Sequence, residues 1–198
     1  MAARSNALSE IARFWLQECY GLFLRESVSV KLKRNNSDID FIATSPAGAV
    51  TILDRIRVSK AIVETKDERD FDPHGTDFAK RLANDYKLLQ GNCIISPETS
   101  CCFSMLRKEH HVEAEKIFGQ GVDFSKIFIF HNLKKNGLED ILAELRNRDI
   151  HVVTSFEMMS DIQKFLKESR SGAGVRNSLT GDILDMLVTY HKWEQRGD

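Results

Sequence analysis

The sequence predicts an α/β domain with a central mixed β-sheet flanked by helices. Short apolar runs of strand length recur along it: VSVKL, DFIA, AIVET, KIFIF and IHVVT. Segments with apolar residues three and four apart alternate with those runs, as amphipathic helices require. In residues 126–154 a strand, a helix and a strand follow one another, which implies parallel strands joined by a right-handed crossover. A hydrophobic fraction of 42% over 198 residues is enough for one domain with a core of its own.

The first helix spans residues 5–22. Leu8, Ile11, Ala12, Trp15, Cys19 and Leu22 form its stripe, Ser5 stands at its start, and Gly21 weakens its end. Residues 28–32 alternate Val28, Val30 and Leu32 with Ser29, Lys31 and Lys33, the pattern of a half-buried strand. Asn35, Asn36 and Ser37 signal a turn, and residues 39–43 return as the second strand of a hairpin. After a second turn at residues 45–48, residues 50–58 admit two readings, a further sheet strand (VTIL) or a loop through Asp54 and Arg55. Residues 61–65 are the clearest strand, ended by the polar run DERDFDPHG at 67–75, an ordered loop or mobile flap.

Residues 76–90 read as a helix on Phe78, Leu82, Tyr86 and Leu89, with Gly91 at its end and a short strand after it at 92–96. Residues 97–121 read mostly as helix, with Cys102, Met105, Val112, Ile117 and Phe118 as packing residues. Then follow a buried strand at 126–131, a helix at 137–148, a strand at 150–154 and a helix at 157–168. Thr154 and Glu157 have the spacing of a capping box. Residues 1–168 are therefore one domain, 169–178 a Ser-, Gly- and Arg-rich linker, and 179–198 a C-terminal helix docked on the body or on a second copy.

Charge narrows the function. The net charge is -1, so any contact with a polyanion must come from a local patch. Lys31, Lys33 and Arg34 form the most basic patch of the first half. No apolar segment approaches the roughly 18 residues of a membrane span, and residues 1–9 are too polar for a secretory signal. Cys19, Cys93, Cys101 and Cys102 form no C-x-x-C pair, which suits free thiols in a reducing, cytoplasmic setting.

The acids within SDIDFIA and AIVETK carry the chemical signal. Side chains two apart share a strand face, so Glu64 points with Lys66 and Asp38 with Asp40. If the two strands are neighbours, Asp40, Glu64 and Lys66 converge. Two carboxylates and an ammonium suit a hard divalent cation and a water beside it. The plainer alternative is a solvated ion pair at a strand end.

Helix, VSVKLKRNNSDIDFIAT, loop, AIVETKDER and helix together resemble the core of the PD-(D/E)XK nuclease superfamily, the restriction-endonuclease-like fold, over about residues 5–89. The flavour is closest to the Holliday junction resolvase and Mrr-type branches. Ile39 stands where the family name has proline. The resemblance implies that Asp40 bends or ends the second core strand and that Glu64-Thr65-Lys66 is the E-x-K of the third. It implies Mg2+ or Mn2+ held by Asp40, Glu64 and the Thr65 carbonyl, with Lys66 beside the attacking water and Glu10 on the first helix extending the site. Glu10 is the best match for a glutamate on that helix and Glu18 the second, and Glu10 is equally readable as a residue of the helix's polar face.

The expected activity is endonucleolytic hydrolysis of DNA phosphodiesters, leaving 5′-phosphate and 3′-hydroxyl ends. Lys31, Lys33 and Arg34 would meet the DNA backbone, and Thr76, Lys80 and Arg81 at the start of the next helix would meet a phosphate. The same basic residues also fit a solvated strand face. Asp38 reads as a turn residue in preference to a second metal ligand, His74 as a surface residue in preference to a phosphate or metal contact, His110 and His111 as surface residues, and His131 as structural. A homodimer through residues 180–192 would let such an enzyme reach both strands. The rivals are a catalytically inactive nucleic-acid-binding or scaffold protein of this fold, favoured by the acids of residues 67–72, and an RNA-directed nuclease.

Overall fold

A computed structural model describes residues 7–32, 36–66, 105, 107–130 and 150–168, with the backbone alone at 66, 130 and 167. Helix α1 (Ala7–Phe14) runs into a π-helical turn (Trp15–Cys19). The expected single helix thus widens halfway. Gly21 closes it at φ 63°, a value that favours glycine, with Gly21 N–H donating to Gln17 O and Leu22 N–H to Leu16 O.

The main sheet has five strands in the order β1 (Phe23–Lys31), β2 (Asn36–Thr44), β5 (Lys60–Lys66), β6 (Ser125–Phe130) and β7 (Ile150–Thr154). β1, β2 and β5 are antiparallel neighbours, whereas β5, β6 and β7 run parallel, so the sheet is mixed as expected. β5 and β6 are buried on both faces, which is why AIV and IFI are unbroken apolar runs instead of alternating ones. Helix α2 (Lys108–Phe118) lies on the connection between them, and α3 (Ser155–Glu168) follows β7. Thr154 and Glu157 form the predicted capping box: Thr154 N–H donates to Glu157 Oε2 at 2.9 Å, and Glu157 N–H donates to Thr154 Oγ1 at 3.1 Å.

Residues 50–58 do not extend this sheet. They make a separate hairpin of β3 (Val50–Ile52) and β4 (Ile56–Val58). β2 and β5 pair directly, so no gap is left between them for another strand. Ile52, Ile56 and Val58 instead turn into the core below. Leu53 and Asp54 form the turn at φ 50° and 55°, and the Leu53 N–H donates to the Tyr20 hydroxyl at 2.9 Å.

Two cores sandwich the sheet. The first gathers α1, the π-turn, the β3–β4 hairpin and α3 over Phe41, Ala61, Val63, Ile127 and Ile129. Asp161 of α3 ties it together, accepting from Trp15 Nε1 at 2.7 Å and from the Tyr20 hydroxyl. The second packs Met105, Ala114 and Phe118 on Val28, Val30, Ile39, Ile42, Ile62 and Phe128. Val112, expected inside, is on the exposed side of α2. Among the described residues no helix is long and apolar enough to cross a membrane. The helices expected at 76–90, 137–148 and 180–192, the strand at 92–96, the linker, and Cys93, Cys101, Cys102 and His131 lie outside the described residues.

Candidate active site

The site begins with an irregularity in the hairpin. β1 and β2 pair from Phe23–Thr44 to Glu26–Phe41 and again from Val28–Ile39 to Lys31–Asn36, but Ser27 and Asp40 between them are skipped. Ser27 has φ 49°, in the left-handed region. The buckle switches faces. Phe41 lies in the first core while Ile39, only two residues away, lies in the second, so β2 bends at Asp40.

β2 and β5 pair as far as Phe41–Val63, so one more step of that register would set Asp40 opposite Glu64 on the neighbouring strand. The ladder ends where the Asp40 side chain enters it. Thr65 N–H donates to Asp40 Oδ2 at 2.6 Å, and Thr65 Oγ1 donates to the same oxygen at 2.8 Å. Thr65 Oγ1 also lies 2.6 Å from Ser9 Oγ of α1. Strand alternation puts Thr65 on the side of Ala61 and Val63, the first core.

Glu64 therefore faces the second core. It is 5% exposed and its Oε2 accepts from Met105 N–H at 3.2 Å. Lys66 ends β5 in backbone, and its side chain lies outside the described residues.

Glu10 is half-exposed on α1. It pairs with Arg13, whose Nη1 also reaches Glu26 Oε1 of β1 at 3.8 Å. Lys31 is exposed at the end of β1. Lys33, Arg34, Thr76, Lys80, Arg81, His74 and the acids of 67–72 lie outside the described residues. Asp38 is not a turn residue but an exposed strand residue opposite Ser29, because β2 already begins at Asn36, so Asn36 and Ser37 are strand residues as well.

The histidines depart from expectation. His110 is 1% exposed, and His111 is half-buried. His110, Ala114 and Phe118 form the buried stripe of α2 at steps of four, a pattern present in the sequence but masked there by the polar residues around it. His110 Nε2 lies 3.2 Å from Ser37 Oγ, and its Nδ1 has no hydrogen-bond partner among the described residues. Burial pushes the His110 pKa below the usual histidine value, against an opposing pull from Glu64 and from the Asp38 backbone. Burial, then Lys126, lowers that of His111.

For a divalent cation the donor set has the right chemistry, namely hard carboxylate oxygens on adjacent strands with the Thr65 carbonyl directly after Glu64. Among the described residues no group of three His, Cys, Asp or Glu side chains forms a ready cage. An ion here would need the Thr65 carbonyl, water or substrate oxygens to complete its shell, as Mg2+ commonly does. Compared with family models, with curated proteins and with solved structures, the chain gives no match.

Proposed function

We propose that the protein is a metal-dependent endonuclease of the restriction-endonuclease-like fold that hydrolyses phosphodiester bonds in DNA. The observation that carries this reading is Asp40 at the bend of β2, one register step beyond a direct pairing with the strand that bears Glu64 and Lys66. A carboxylate inserted into a sheet ladder displaces a backbone pairing, which a purely structural sheet has no reason to give up.

In this reading Asp40, Glu64 and the Thr65 carbonyl hold Mg2+ or Mn2+. Such an ion, when bound, lowers the pKa of a neighbouring water and offsets charge on the phosphoryl oxygens. Lys66 orients the attacking water and stabilises the charge that builds as the phosphodiester is attacked. Lys31, with Lys33 and Arg34, meets the backbone of the nucleic acid without reading its sequence. Glu10 holds a water at the rim, released from Arg13 at little cost because exposed ion pairs contribute only about 0–1 kcal/mol.

One observation favours a second reading, an inactive scaffold of the same fold. Glu64 is turned toward Met105 N–H and almost wholly covered. The test separates the two. Wild type, Asp40→Ala and Lys66→Ala are incubated with single-stranded, duplex and branched DNA, and with RNA, in Mg2+ or Mn2+. Wild type should cut DNA, and each variant should fold yet cut at least about 100-fold more slowly. Cutting by either variant at the wild-type rate overturns the site. Absence of both cutting and metal binding in wild type selects the scaffold.

A further inference from the structure

Resting on that reading, we infer that the Thr65 and Ser9 hydroxyls are positioning residues for Asp40, forming a relay from α1 through β5 that sets its carboxylate for the cation. The nuclease reading uses only the carbonyl of Thr65 and gives Ser9 no role. The geometry gives both side chains one.

Asp40 Oδ2 takes two donors from a single residue, the amide and the hydroxyl of Thr65, at 2.6 and 2.8 Å. Two donors on one oxygen, from one rigid backbone position, define the direction of the carboxylate as well as its place. Thr65 is 6% exposed and β-branched, so its hydroxyl has little rotamer freedom. A hydroxyl carries one proton. The Thr65 proton lies on Asp40, so the 2.6 Å contact between Ser9 Oγ and Thr65 Oγ1 must use the Ser9 proton. The donors therefore run in one direction, Ser9 to Thr65 to Asp40. Each bond polarises the next and strengthens it.

The relay also explains why the bend at Asp40 is stable. Asp40 is missing from the β1–β2 register, and the β2–β5 register stops one residue before it. Beyond the last β2–β5 pair, the Thr65 N–H finds its acceptor in the Asp40 side chain, which ties the bent strand to β5. Partners of this kind, which hold a metal-binding carboxylate, affect metal affinity by about 10–100-fold.

The test is Mn2+ titration of the full chain by calorimetry, with thermal unfolding as the control for folding. Thr65→Val keeps shape and amide but removes the hydroxyl; it should weaken Mn2+ about tenfold. Thr65→Ser should restore binding to within about twofold, because the serine hydroxyl can make the same bond. Ser9→Ala should weaken it about threefold, acting one bond further away. If Thr65→Val fails to fold, Ser9→Ala decides, and unchanged affinity there overturns the relay. Wild-type binding with Thr65→Val unaffected overturns the relay and leaves the nuclease reading standing. Absence of Mn2+ binding in wild type overturns both.

Discussion

Asp40 of β2 and Glu64 of β5 are held on different terms. Asp40 is taken by Thr65, whose amide and hydroxyl both donate to it, on the side where α1 supplies Ser9. Glu64 turns to the other face, where the Met105 amide meets it at 3.2 Å near the buried His110. Both bonds to the first carboxylate are short, and they fix it rigidly on one residue, Thr65. The amide contact to the second is longer and comes from the other side of the sheet. The two acids, neighbours by register across a strand pair, therefore sit in different surroundings on opposite sides of the sheet.

The largest effect should come from the core that supports the rigid side. Trp15 is fully buried and its ring N–H is bonded to Asp161, which also holds Tyr20. Trp15→Ala should lower stability by about 3–5 kcal/mol in urea unfolding. A loss below about 1 kcal/mol would mean that α1 is not seated by this contact, and the rigid half of the contrast would fail.

Glu64 sharpens the contrast next. Glu64→Ala leaves the Met105 amide without its acceptor and should cost about 1–3 kcal/mol. Glu64→Gln keeps an acceptor, so its stability should stay within about 1 kcal/mol of wild type while Mn2+ binding disappears. Equal destabilisation by both substitutions would show that the charge of Glu64, and not its hydrogen bond, matters to the fold.

The smallest effect is a pH dependence confined to the second face. Burial lowers the pKa values of His110 and His111 below the ordinary 6.5, so the folded state favours their neutral forms. The unfolded chain protonates first as pH falls. The resulting stability is complete above about pH 6.5 and is lost as pH drops from there toward the folded pKa values. Tm should fall between about pH 7 and pH 5 in wild type and fall less in His110→Gln. An identical slope in that variant would remove His110 as a contributor.

Much of this architecture was legible because the strands that matter are apolar on both sides. AIVET and KIFIF are short, continuous and bounded by polar residues, which is what a doubly covered strand requires. The capping box at Thr154 and Glu157 was legible for a different reason, since it is local and its partners are three residues apart. The hairpin at residues 50–58 was not. Its side chains suit a sheet strand equally well, and only the direct pairing of β2 with β5 excludes that arrangement. His110 was missed because a histidine beside a histidine and a glutamate looks solvated until Ala114 and Phe118 are aligned with it on one helix face.

By itself the sequence determined the α/β class, the central strands, the hairpin and the short spacing of Glu64 and Lys66, because periodicity and near-neighbour chemistry are properties of a few residues in a row. Tertiary structure alone decided that β2 buckles at Asp40, that Thr65 fills the ladder there, and that Glu64 faces a different core. Those outcomes depend on bonds between residues 25 to 56 positions apart, whose formation is set by strand register and by the packing of α1, and neither is written in any single stretch of chain.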